Sequence, residues 1–170
     1  MAIREIVTVP HEVLRKKAKK VTDFDKDFQQ TVDDMIDTMR EAPGVGLAAP
    51  QIGLLQRLIV VEYPKDDEVE DSPKKLYVLA NPEIIEFSEE KEMGIEGCLS
   101  VPGLVGEVER SLGIIVRGHN RHGKPVKIKL ENWVARVFQH EVDHLDGILY
   151  TDRATEVWKP SEEEAAAIRD

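Results

Sequence analysis

The chain has 170 residues and a mass of 19.2 kDa, enough for one domain that buries a core without disulfide or metal staples. Its net charge of −10, from 33 acids against 23 bases, argues against a nucleic-acid surface, because phosphate contacts need clustered Lys and Arg. No apolar run approaches a membrane span, no signal-peptide core opens the chain, and the lone cysteine, Cys98, cannot close an internal disulfide, so a soluble cytoplasmic protein is expected.

The short basic cluster from Arg15 to Lys20 reads as a solvated helix end. Phe28, Val32, Met35, Ile36 and Met39 then fall on one stripe, which predicts a packing helix over 25–40 with Asp23 or Asp25 as its N-cap. Pro43-Gly44-Val45-Gly46 breaks that pattern, and the apolar stretch from Val45 to Ile52 is too rich in Gly and Pro for a regular element. An apolar loop of this kind suggests a docking surface.

Leu58 to Tyr63 reads as a strand, and Pro64 to Lys75, with five acids, as a surface excursion. Leu76 to Phe87 predicts a strand bent at Asn81-Pro82, since proline cannot donate into a ladder. Glu96-Gly97-Cys98-Leu99-Ser100 predicts a loop or bulge. Three short strands follow over 104–109, 112–118 and 124–130, the last two joined by a hairpin turn at Asn120 to Gly123. His119 and His122 at that turn read as solvent-exposed. A second long helix is expected from Trp133 to about Asp146, with Asn132 as N-cap and Gly147 as its left-handed stop. Ser161 with Glu164 predicts a capping box opening an acidic helix over 162–169.

Within the second helix lies His140-Glu141-Val142-Asp143-His144. Positions i and i+4 share a helix face, so the two imidazoles can meet one cation while Glu141 leans over a water bound to it. Two histidines need a third protein ligand if one position is to stay open for water. The metzincin pattern would place a histidine at position 150, which is Tyr150. A glutamate-ligated zinc peptidase would have to recruit Glu156 or one of Glu162 to Glu164, which read as solvated. Cys98 is the better candidate, because a thiolate is a strong ligand and Gly97 lets the backbone approach a metal.

Three blocks resemble the signature motifs of peptide deformylases: Gly44-Val45-Gly46-Leu47-Ala48-Ala49-Pro50-Gln51, Glu96-Gly97-Cys98-Leu99-Ser100, and Gln139-His140-Glu141-Val142-Asp143-His144-Leu145-Asp146-Gly147. The resemblance extends to the segment around Pro10 to Arg15. It implies a metal-dependent hydrolase that removes the formyl group from the N-formylmethionine of nascent polypeptides and releases formate. One divalent ion per chain is implied on Cys98, His140 and His144: Fe2+ in the cell, with Ni2+, Co2+ or Zn2+ in preparations. Glu141 is implied as the general base, with the Gln51 side chain and the Leu99 N–H stabilising the oxyanion.

By the same resemblance, the Gly46 backbone pairs with the extended substrate beside Val45, and Gly97 joins the substrate-contacting positions. Trp133, Arg136 and Val137, one and two turns before His140, are expected to line the methionine pocket, with Arg136 contributing its stem or forming a surface salt bridge. Glu96, Gln139 and Asp143 are expected to orient the ligands and the loop from behind. Two positions depart from the family pattern. His11-Glu12 replaces a common Asp-Pro, and Val105 stands where some members carry a substrate-binding arginine.

The expected fold is a single α+β domain over 1–170, with short antiparallel or mixed sheets around a central helix that carries the metal motif. Nascent peptides are the expected partners, with transient ribosome association and neither a membrane nor a specific nucleic acid. The alternatives are a non-catalytic metal- or peptide-binding module and a metallopeptidase; Glu141 and Gln51 speak against the module, which needs neither.

Overall fold

The computed structural model describes residues 2–66 and 69–167, with backbone alone for 166 and 167. Helix α1 spans Lys26–Glu41, and Asp25 caps it by accepting from the Phe28 N–H at 2.9 Å. Its predicted stripe is the face that packs. Phe28, Val32, Met35, Ile36 and Met39 meet Leu47, Leu58, Val60 and Ala80 in one core cluster.

Strands β1 (Gly46–Ala48), β2 (Leu58–Pro64), β3 (Lys74–Phe87), β6 (Gly113–His119) and β7 (Pro125–Glu131) form one antiparallel sheet in the order β1-β2-β3-β6-β7. Successive side chains of a strand point to opposite faces. Leu58 and Val60 therefore face α1, while Ile59 and Val61 face the second core cluster. This two-sided burial explains why Leu58 to Val61 is an unbroken apolar run instead of an alternating one.

That second cluster is built by helix α2 (Asn132–Leu145), which lays Ala135, Val137, Phe138, Val142 and Leu145 on Ile59, Leu79, Ile114, Val116 and Leu130. A smaller sheet, β4 (Lys91–Cys98), β5 (Val101–Ser111) and β8 (Glu156–Trp158), lies on the other side in the order β4-β5-β8. Every residue of α2 from Ala135 to Leu145 is consequently buried. Short helices α3 (Tyr150–Arg153) and α4 (Glu162–Ala167) complete the chain. The Ser161–Glu164 capping box forms as expected, although the expected end of that helix at 169 lies outside the described residues.

The structure departs from the sequence reading at five places. His119, read as solvent-exposed, is half-buried, with its Nδ1 3.2 Å from Asn81 Nδ2 and its ring tilted against Phe24. The stretch from Val45 to Ile52 is regular after all: Gly46–Ala48 pairs with β2, Gly46 opposite Val61 and Ala48 opposite Ile59, and Ala49–Ile52 forms a 3-10 turn. An available strand edge and complete burial override the local Gly and Pro content. Asn132 does not cap α2 but is its first residue, with a φ of 63° that turns the chain out of β7, a conformation asparagine tolerates. Residues 91–95 belong to β4, a strand whose charged and glycine-split sequence carries no period and which forms against β5. Finally, α3 and β8 are too short to register as periodic segments.

Other features follow the sequence. Asn81, at φ 52°, marks the bend in β3, where the register against β6 shifts between Ala80 and Glu83. The bulge expected near Cys98 appears as a register shift between Gly97 and Cys98. Gly147 takes a φ of 75° after α2, and a Cβ there would collide with the Arg15 carbonyl.

Candidate metal centre

Cys98 ends β4 at its bulge, and His140 and His144 project from successive turns of α2, so the two layers deliver three candidate ligands to one point. One ligand atom from each lies within 4.8 Å of the others, and all three residues are buried. The Cys98 Sγ stands 3.4 Å from the His144 Nε2. A tetrahedral ion with bonds of about 2.3 Å to sulfur and 2.0–2.1 Å to nitrogen has S···N edges of about 3.5 Å, so the spacing fits one shared cation.

His140 is oriented from behind. The carboxylate of Glu96 accepts from His140 Nδ1 at 2.9 Å, which leaves Nε2 as the nitrogen that faces Cys98 and His144. Glu96 also accepts from Arg110 Nε and Nη2, both at 2.9 Å, and from Arg136 Nη1 at 2.7 Å. Burial alone would raise the Glu96 carboxyl, but the hydrogen bonds and charges of Arg110 and His140 outweigh it and hold the group far below the usual carboxylate range. His144 is pushed down by burial and by the positive charges of His140 and Arg110, which favours its neutral form.

Gln51 follows Ala48 at the end of the 3-10 turn. Its Oε1 accepts from the Ala48 N–H at 3.0 Å, which turns its Nε2 toward the Ser100 Oγ at 3.2 Å and the Cys98 Sγ at 3.6 Å. The amide thus presents its donor end to the centre. Glu141 is 1% exposed, and its carboxylate lies against Gly46, where a Cβ would come within 2.6 Å of Oε2. The glycine of β1 is what admits this carboxylate.

Gly97 is buried in the bulge, and Leu99 is half-buried in the turn that follows Cys98. Val45 and Trp133 are half-buried and pack on the α2 cluster, whereas Val137 sits inside that core at 3% exposure. Arg136 makes no surface salt bridge. It is buried, held by Glu96 and by the Val108 and Glu92 carbonyls, with its guanidinium 5.2 Å over the Trp133 ring. Gly94 makes room for it, since a Cβ there would come within 2.7 Å of Arg136 Cζ.

The expected supporting residues divide. Glu96 orients His140 directly. Asp143 reaches it through Arg110, whose Nη1 donates to Asp143 Oδ2 at 2.7 Å. Gln139 instead brackets the backbone of Ser111, accepting its N–H and donating to its carbonyl. Arg110 went unread in the sequence, while Ser100 was read only as part of its block and Tyr150 only as a position that is not a histidine. Only the packing of β4, β5 and α3 on α2 gives these three their contacts at the centre.

The chain was compared with known proteins. The family model described as Polypeptide deformylase matches residues 3–159. A peptide deformylase of Symbiobacterium thermophilum is 52% identical over 96% of this chain and 72% of its own length. The crystal structure of the peptide deformylase from Thermotoga maritima superposes with a TM-score of 0.84 at 42% identity, covering 92% of this chain and all of that one. A class I type b peptide deformylase from Acinetobacter baumannii, bound to Met-Ala-Ser, gives 0.82 at 38% identity, covering 89% and 98%. A Cys-His-His centre with an adjacent glutamate, a family match across nearly the whole chain and this degree of structural agreement lead to one conclusion: the chain belongs to the polypeptide deformylases, metalloenzymes that remove the formyl group from nascent peptides.

Proposed function

We propose that Cys98, His140 and His144 hold one divalent cation and that Glu141 acts as the base in hydrolysing the formamide bond of N-formylmethionyl peptides. The observation that carries this reading is the convergence of one sulfur and two imidazoles within 4.8 Å, beside the Glu141 carboxylate lodged against Gly46. The cation supplies Lewis acidity that brings the ionisation of water toward neutral pH.

Glu141 takes the proton of the attacking water and returns it to the departing amine, so that formate and a free methionyl N-terminus result. Negative charge grows on the formyl oxygen as its carbon becomes tetrahedral. The Gln51 Nε2 and the Leu99 N–H donate to that oxygen, and Gln51 arrives oriented because Ala48 holds its other end. The Gly46 backbone pairs with the extended peptide alongside Val45 and Gly97. Trp133, Arg136 and Val137 form the α2 side of the methionine pocket, where the guanidinium of Arg136 stays with Glu96 and its stem faces the ligand.

Softness of the ligand set admits zinc, iron, cobalt or nickel, and we assign Fe2+ as the cellular metal by kinship. An Fe2+–thiolate centre loses activity in air, so purification with and without oxygen exclusion tests the assignment; equal and stable activity of the zinc form in both would overturn it. A cytoplasmic location and transient ribosome association complete the proposal, because nascent chains present the substrate there. Formate release from a formyl-methionyl peptide is the direct assay. Glu141→Ala retains the metal and loses on the order of 10²–10⁴ in kcat or more; a variant that still turns over at the wild-type rate refutes the assigned base.

A further inference from the structure

Helix α3 packs on the small sheet and reaches His140 by two routes. The first is direct: the ring of Tyr150, itself 1% exposed, stacks on the His140 imidazole with centroids 6.0 Å apart and planes 19° from parallel. The second is a chain of charged forks. Arg153 at the end of α3 grips both oxygens of Asp143, Nε to Oδ2 at 2.6 Å and Nη2 to Oδ1 at 3.0 Å. Asp143 Oδ2 also accepts from Arg110 Nη1 at 2.7 Å, Arg110 grips both oxygens of Glu96, and Glu96 accepts from His140 Nδ1.

The inner links of this chain cannot hold themselves. The side chain of Arg110 is 4% exposed, and a buried guanidinium needs an acceptor for each edge of its fork. Asp143 supplies one edge but is 12% exposed and borders a cavity of about 410 Å³, also lined by Arg57, Asp146 and Ile148. A carboxylate there can rotate toward water unless both of its oxygens are held. Arg153 holds both. Helix α3 is in turn fixed to the small sheet by the Thr155 N–H to the Glu107 carbonyl at 2.9 Å, and Tyr150 packs close on Gly106, where a Cβ would come within 3.0 Å of its Cε2.

We propose that Arg153, at 46% side-chain exposure, is a positioning residue for the metal ligand His140, acting through Asp143, Arg110 and Glu96. The inference rests on the reading of His140 as a ligand. Loss of Arg153 frees Asp143, loosens the Nη1 edge of Arg110 and lets Glu96 turn, so the imidazole loses its aim. Arg136 still holds Glu96, which makes the loss partial.

The test compares Arg153→Ala, Arg153→Lys and Arg117→Ala as Co2+-loaded proteins. Arg117 serves as control because its ion pair with Glu83 is exposed and shares no residue with this chain of contacts, although Glu83 borders the same cavity. Three quantities are read: the visible Co2+ absorption, the rate of Co2+ release to a chelator, and kcat and KM separately. Arg153→Ala is expected to shift the absorption, to release Co2+ about tenfold faster, the low end of what losing an outer partner of a ligand costs, and to lower kcat with KM within about twofold. Arg153→Lys, which keeps the charge but not the fork, falls between; Arg117→Ala matches wild type. If Arg153→Ala, or Arg153→Lys should the alanine variant not fold, keeps the wild-type absorption and release rate, the proposal is overturned whatever happens to thermal stability. A wild-type protein that takes up no Co2+ would instead overturn the metal reading itself.

Discussion

Replacing Gly46 by alanine tests whether β1 and the base are fitted to each other. The added Cβ would lie 2.6 Å from Glu141 Oε2 and 3.0 Å from both its Cδ and Cγ. Non-bonded carbons settle at about 3.5–4.0 Å, so the Glu141 side chain must retreat by about half an ångström or more. It cannot be absorbed elsewhere: Gly46 is paired to Val61 in the sheet, and Glu141 is anchored on a helix buried on every side.

Misplacing a reacting group by about 1 Å costs on the order of 10²-fold, which puts this variant at a 10–100-fold loss of kcat, about 1.4–2.7 kcal/mol in the barrier. Alanine keeps the backbone N–H and C=O that would pair with a peptide, so KM should stay within about twofold. No ligand is touched, so metal content should stay at the wild-type level. Steady-state kinetics on a formyl-methionyl peptide, with metal analysis of the same sample, decide the matter. A kcat within about threefold of wild type would refute the claim that Gly46 exists to admit the base.

Gln51→Ala removes the donor facing the centre and should lower kcat by about 10²–10³ with metal retained, as single-turnover formate release would measure. Phe138, fully buried and edge-on to Tyr77 at 5.1 Å, should cost about 3–5 kcal/mol of stability when cut to alanine, read from the denaturant midpoint. Asp34→Asn should show a pH signature. Burial opposes its charge, but hydrogen bonds from Gln30, Arg4 and the Ala2 N–H win and lower its carboxyl below the ordinary value. A depressed folded pKa means the stabilisation is complete above the unfolded value of about 3.9 and is lost as pH falls through the folded one. Chemical denaturation of wild type and variant should therefore differ equally at pH 7 and pH 5 and converge below about pH 4; a gap that stays constant into acid would refute the assignment.

Legibility in the sequence followed the range of each interaction. Residues 25–40 announced α1 because a helix repeats every 3.6 residues and its apolar stripe is local information. His140 and His144 were legible for the same reason, since i and i+4 share a face whatever the tertiary structure. Cys98 stood out because it is the only thiol. The β1 strand and the first half of β4 were not legible, because a strand edge is created by its partner: Gly46–Ala48 is a strand only beside Ile59 to Val61, and Lys91 to Ile95 only beside Glu107 to Ser111.

The sequence alone thus singled out the candidate centre, two imidazoles, one sulfur and a neighbouring carboxylate, because that set depends on residue identity and helical spacing. Tertiary structure alone decided how the centre is aimed. Arg110 is 14 residues from Glu96 and 33 from Asp143, and Gly46 meets Glu141 across the β1–α2 packing. Such pairings arise when sheet and helix layers bury a charge that must then find partners wherever the fold has brought them, and no local pattern in the chain encodes them.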